Sequence, residues 1–137
     1  MVHFREKDRY DYGDLLEIIR ILRSPEGCPW DQVQTHASIR RGLLEEAYEA
    51  AEAIDRDDAP LLQEELGDVL FAAVKAARFA GVDPEDALNA ACEKFIRRYA
   101  AVEQGAADRG VPVSDLTLAE MTDLWNGAKQ RHDSDGF

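Results

Sequence analysis

Cysteine is scarce in this chain. Cys28 and Cys92 stand 64 residues apart, and no C-x-x-C pair occurs. That usage argues against a zinc ribbon or a disulfide framework and fits a reducing, cytoplasmic setting. Long apolar runs are missing too. No stretch reaches the roughly 20 residues that span a bilayer, and the first residues, Met-Val-His-Phe-Arg-Glu-Lys-Asp, lack the apolar core of a signal peptide. Basic residues are outnumbered, 16 Lys and Arg against 28 Asp and Glu, for a net charge of −12. Such a surface is unsuited to electrostatic docking on duplex nucleic acid or an anionic membrane. A nucleotide ligand stays open, because a bound cation can invert the local sign. The alternating pattern of strands is weak throughout.

What the chain does have is helical periodicity. Its 137 residues, 45% of them apolar, suit one domain over 1–137 with a core over about 14–130. Leu15, Ile18, Ile19 and Leu22 predict a first helix over 14–23, capped by Asp14 and ended by Ser24-Pro25. A loop with two prolines follows to Thr35. A second helix is expected over about 38–55 and a third over about 60–80, stopped by Gly81. The turn between them is Asp55-Arg-Asp-Asp-Ala-Pro60. Asp83-Pro84-Glu85-Asp86 opens a fourth helix, with cap, N1 proline and acidic first turn, reaching about Gly105. Thr117 and Glu120 form a capping box for a last helix to about Gln130, and the tail from His132 reads as frayed. The expected fold is all-α: an antiparallel bundle of about four main helices plus a C-terminal helix. Leu66, Leu70, Ala73 and Ala77 stripe the third helix, broadened by Val69 and Ala76, so it should be central.

Two carboxylate pairs stand out, Glu46 with Glu49 and Glu65 with Asp68. Each pair is spaced i, i+3, which places both side chains on one helix face. The two helices are antiparallel neighbours across a short turn. Counted from Asp58, Glu49 lies nine residues before and Glu65 seven after, Glu46 twelve before and Asp68 ten after. At about 1.5 Å per residue the pairs reach similar heights. The plain alternative is a solvated acidic surface. Against it, the acids are embedded among Leu43, Leu44, Leu62, Leu66 and Leu70. The i+4 positions also hold Ala50, Ala53, Val69 and Ala72 rather than Lys or Arg. Four facing carboxylates call for a cation between them. All-oxygen ligation favours Mg²⁺, with Mn²⁺ an alternative, over Zn²⁺. A di-iron bundle needs Glu-x-x-His motifs that neither helix supplies.

Cys28-Pro-Trp-Asp31, Gln34-Thr35, Leu44-Glu-Glu-Ala-Tyr-Glu49, Glu65-Leu-Gly-Asp-Val-Leu-Phe71, Lys94-Phe-Ile-Arg-Arg98 and Leu124-Trp125 follow in one order. Together this set, from about Leu15 to Lys129, resembles the MazG-type nucleoside triphosphate pyrophosphohydrolases. The resemblance implies an all-α homodimer with Mg²⁺-dependent cleavage of (d)NTP between the α and β phosphates. It implies Glu46, Glu49, Glu65 and Asp68 as metal ligands, with Glu45 the remaining acid of the first motif. Lys94 and Arg98 match residues that contact the triphosphate, and Trp125 matches an aromatic near the nucleoside. Family members often continue past Arg98 with His-Pro-His-Val-Phe. Here Tyr99-Ala-Ala-Val-Glu103 follows, a departure at the outer edge of the pocket that bears on base selectivity.

Other residues are read from their own spacing. Lys94 and Arg98 share a helix face, where Arg forks onto phosphate oxygens and Lys acts as a mobile charge; the plain alternative is a solvated basic strip. Trp125 follows core spacing with Leu118, Met121 and Leu124, yet its ring could stack on a base. Trp30 is expected to fold its loop onto the bundle, with Asp31 bonding locally. Tyr48 follows core spacing and His36 is structural or exposed. Glu45 and Glu49 are both candidates to accept the proton of an attacking water. Removal of non-standard or excess nucleotides is the expected role. The rivals are a narrower pyrophosphohydrolase acting on dUTP, dCTP or phosphoribosyl-ATP, and a non-catalytic helical binding module.

Overall fold

In the computed structural model, which describes residues 2–134, six helices and one 3₁₀ turn account for the regular structure. No strand occurs among the described residues. The helices are α1 (Tyr12–Arg23), α2 (Pro29–Gln32), α3 (His36–Asp55), α4 (Ala59–Phe79), α5 (Pro84–Asp108) and α6 (Leu118–Ser134). They group into two compact units, 1–84 and 85–137.

In the first unit the cap of α1 lies three residues before the expected one. Asp11 is the N-cap, accepting from the Asp14 amide at 2.9 Å, and Asp14 accepts from the Asp11 amide at 2.8 Å. Asp14 is therefore the far half of the capping box, and it is held there by Lys7 at 2.7 Å. The helix ends where expected, with the Ser24 hydroxyl donating to the Ile21 carbonyl at 2.7 Å. The proline loop contains a short helix, α2, that the sequence reading missed. Pro29 supplies its first residue and Cys28 its cap position. At α3, Thr35 and Ser38 form a reciprocal cap, which moves the start two residues ahead of expectation.

α3 and α4 form the antiparallel hairpin, joined by Arg56, Asp57 and Asp58. Asp57 takes the left-handed conformation (φ 53), and Asp58 caps α4 through the Leu61 amide at 3.1 Å. α4 packs against both α3 and α1, so it is the shared element of this unit. Its burial differs from expectation. Val74 is the buried residue, while Leu66, Leu70 and Ala73 are exposed. The α4 surface is apolar on more sides than α1 and α3 cover. The unit's buried centre is Ile19, Ala50, Ala53 and Val74.

In the second unit α5 continues to Asp108, past its expected end at Gly105. Gly105 is a packing position: a Cβ there would run into the Leu124 side chain of α6. The turn comes instead at Gly110 (φ 70). Thr117 and Glu120 make the expected capping box at 2.8 and 3.1 Å. α6 runs four residues beyond Gln130, to Ser134. The tail expected to fray lies partly outside the described residues. Val102, Ala106 and Leu116 form this unit's core, with Met121, Leu124 and Trp125 against it.

Candidate active site

The hairpin brings three of the four expected ligands together. One carboxylate oxygen from each of Glu46, Glu49 and Glu65 lies within 4.8 Å of the others. Glu46 and Glu65 are half-buried and Glu49 is exposed. Asp68 is exposed and stands beside this triad, lining a cavity with Glu46. Glu45 is exposed and outside the triad, next to Glu46 in sequence. Its negative charge nonetheless acts on Glu46.

The electrostatics follow from this crowding. Loss of hydration is the main cause that raises the Glu46 pKa, followed by the charges of Glu49 and Asp68. Glu65 is raised by the same loss of hydration and then by Glu49, which stands within hydrogen-bonding reach. Oε2 of Glu46 and Oε2 of Glu65 are both shielded from solvent without a hydrogen-bond donor. Two orphaned carboxylate oxygens beside a third carboxylate are the donor set of a hard divalent cation, so the residues fit Mg²⁺ or Mn²⁺.

A residue outside the expected set organises the ground beside the acids. Asp31, expected to bond locally, is 4% exposed. It takes Arg23 of α1 at 3.4 Å and Lys75 of α4 at 3.6 Å. Only the tertiary arrangement reveals the role of Lys75, since it lies 44 residues from Asp31 in sequence. Trp30 does not fold back: it is 77% exposed, because the α2 turn directs Asp31 inward in its place. Tyr48 is also exposed, at 73%, on the side of α3 that neither α1 nor α4 covers. His36 is exposed and meets the Phe79 ring edge-on at 5.0 Å.

Lys94, Arg98 and Trp125 belong to the second unit. Lys94 is exposed one turn before Arg98 on α5. The Arg98 guanidinium sits 5.9 Å from the centre of the Trp125 ring, and Phe95 lies 5.3 Å from that ring. The Nε of Arg98 is buried without a partner. Trp125 is half-buried against the unit's core, so its packing role is present whatever else it does.

The family model of the MazG nucleotide pyrophosphohydrolase domain matches residues 34–102, which contain both acidic motifs. The chain belongs to the MazG family. A solved structure titled mazG-related protein from Thermotoga maritima superposes with a TM-score of 0.61 at 31% identity, covering 86% of this chain and 98% of that one. Among sequence relatives, the nucleoside triphosphate pyrophosphohydrolase/pyrophosphatase MazG of Thermotoga maritima is 45% identical over 92 residues, 64% of this chain and 36% of its own length. The nucleoside triphosphate pyrophosphohydrolase of Escherichia coli K12 is 44% identical over 115 residues, 80% of this chain and 43% of that protein. YabN of Bacillus subtilis, named as uncharacterized, is 36% identical over 91% of this chain and 26% of its own. The MazG domain here thus spans less than half the length of these sequence relatives. No helix among the described residues is long and apolar enough to cross a membrane.

Proposed function

We propose that this chain is a Mg²⁺-dependent nucleoside triphosphate pyrophosphohydrolase that cleaves (d)NTP to (d)NMP and pyrophosphate, with Mn²⁺ an alternative ion. The observation that carries the reading is the convergence of Glu46, Glu49 and Glu65 with two orphaned oxygens. Asp68, beside them, completes the proposed ligand set. Glu46, Glu49, Glu65 and Asp68 would hold a divalent cation there, which would offset phosphate charge and orient water for in-line attack. Glu45, outside the triad, is the carboxylate left free to accept the water's proton, and Glu49 is the second candidate. Lys94 and Arg98 are proposed to hold the polyphosphate and to stabilise charge on departing pyrophosphate. Trp125 is proposed to lie near the nucleoside.

The family match crosses the boundary between the two units, which supports reading 1–137 as one functional domain. The exposed Leu66, Leu70 and Ala73 support a homodimer, since a second copy would remove them from water. Nucleotide-pool sanitation in the cytoplasm is the proposed setting.

A pyrophosphate-release assay across NTPs and dNTPs, with Mg²⁺ and Mn²⁺, tests the reading. Turnover is expected, and Glu49→Gln and Asp68→Asn should abolish it while leaving helical circular dichroism unchanged. Glu45→Gln should lower kcat yet keep calorimetric Mg²⁺ affinity. Nucleotide binding without turnover under every condition would point to a binding module instead.

A further inference from the structure

The acidic triad is not the end of the groove between α3 and α4. A cavity of about 190 Å³ starts at Glu46 and Asp68 and reaches Lys75 on α4 and Ser38 on α3. Lys75 lies seven residues beyond Asp68, two turns along the same helix face, or about 10 Å. The walls between are Ile39, Leu43 and Phe71. Gly42 leaves the space open, with nothing within 4 Å of where its Cβ would stand.

An apolar middle at Ile39, Leu43 and Phe71 between two polar ends suits a heterocycle better than a polyphosphate chain. The single cation at the far end is already shared with Asp31 at 3.6 Å, which leaves little charge for phosphates. The volume is below the roughly 300–1,000 Å³ of pockets that hold whole ligands, so only part of a nucleotide would enter. A phosphate tail held at the acids leaves the base as that part.

Ring stacking, on Trp125 or elsewhere, accepts every base, so discrimination falls to edge-reading groups. Gln34, at the same end, has both sides of its amide engaged: it accepts from the Ser38 hydroxyl at 2.7 Å and donates to the Trp30 carbonyl at 3.3 Å, with one N–H left over. Lys75 is different. Its ammonium has three donors and no acceptor, and Asp31, itself held by Arg23, occupies only one side. It can meet a carbonyl oxygen but not an exocyclic amino group. At C4 of a pyrimidine or C6 of a purine, uracil, thymine, guanine and hypoxanthine present such an oxygen, whereas cytosine and adenine present an amine.

We infer that this cavity receives the nucleobase, and that Lys75 makes it favour bases with a carbonyl oxygen at C4 of a pyrimidine or C6 of a purine over their amino counterparts. The inference rests on the proposed hydrolase reading and names its substrate class. The test compares kcat/KM for dUTP against dCTP and ITP against ATP, beside calorimetric binding of dUMP and dCMP with Mg²⁺. The keto member of each pair should lead by about tenfold or more, in turnover and in binding. Lys75→Met and Lys75→Gln should bring both ratios near one. Gly42→Leu, whose Cβ would stand in open space and which replaces a poor helix former, should fold, keep Mg²⁺ affinity and lose dUMP binding. Equal wild-type ratios, ratios unmoved in a folded Lys75 variant, or unchanged dUMP binding by Gly42→Leu would each overturn the inference. Absence of turnover on every nucleotide, with base-selective monophosphate binding intact, would overturn the hydrolase reading alone.

Discussion

Glu46 and Glu65 are held where a proton is welcome. Both pKa values lie above the ordinary 4.5, because lost hydration and neighbouring carboxylates disfavour the charged form. The folded state therefore binds these protons more tightly than the unfolded chain does. Their contribution to stability is full below pH 4.5 and is lost as pH rises through their raised folded values. Asp14 and Glu17 act in the opposite sense, since Lys7 and Arg20 lower their pKa values; their contribution is lost as pH falls. In metal-free protein, Glu46→Gln and Glu65→Gln should each reduce the loss of melting temperature as pH rises above 4.5. Saturating Mg²⁺ should reduce it in the wild type. Thermal denaturation across pH, with and without Mg²⁺, checks both, and identical slopes in all samples would remove the acids as the cause. The triad was legible in the sequence because helix geometry fixes i, i+3 faces and a short turn fixes relative height. Asp31 was not, because nothing in its neighbourhood foretells a contact with Lys75, which lies 44 residues away.

At the scale of elements, caps and turns explain what could be read in advance. Thr117 with Glu120 announced α6, and Gly81 (φ 71) announced the end of α4. Where the reading slipped, two residues of one type competed. Asp11 and Asp14 could each cap α1, and the box uses both. Gly105 looked like a stop but serves the close approach of α5 to Leu124. The four-residue α2 is too short to show a hydrophobic period. The hairpin turn carries one measurable strain, Asp57 at φ 53. Asp57→Gly should raise stability by about 0.5–1 kcal/mol, since glycine adopts this region freely. Chemical denaturation reads the shift, and a loss of stability would mean that the Asp57 side chain supports the turn.

For the whole molecule, the all-α class followed from periodicity, while the destination of each apolar face did not. Periodicity shows that Leu66, Leu70 and Ala73 share a side of α4, but not whether this chain or another covers it. In the structure Leu66 is 48% and Leu70 58% exposed. If a second copy covers them, sedimentation velocity should show a dimer, and Leu70→Glu should shift it to monomer with helical content retained. A monomeric wild type at micromolar concentration would remove the dimer proposal. A net charge of −12 opposes unspecific association through these exposed leucines.

The oxygens of Glu46 and Glu65 that lack a donor have a consequence beyond chemistry on phosphates. With an ion bound as proposed, the facing acids of the two arms would be fastened from outside. Without that ion, the same repulsion would loosen the pairing of α3 with α4 and leave the Arg56–Asp58 turn more open to proteases. Ion availability would then set the lifetime of the protein as well as its pace.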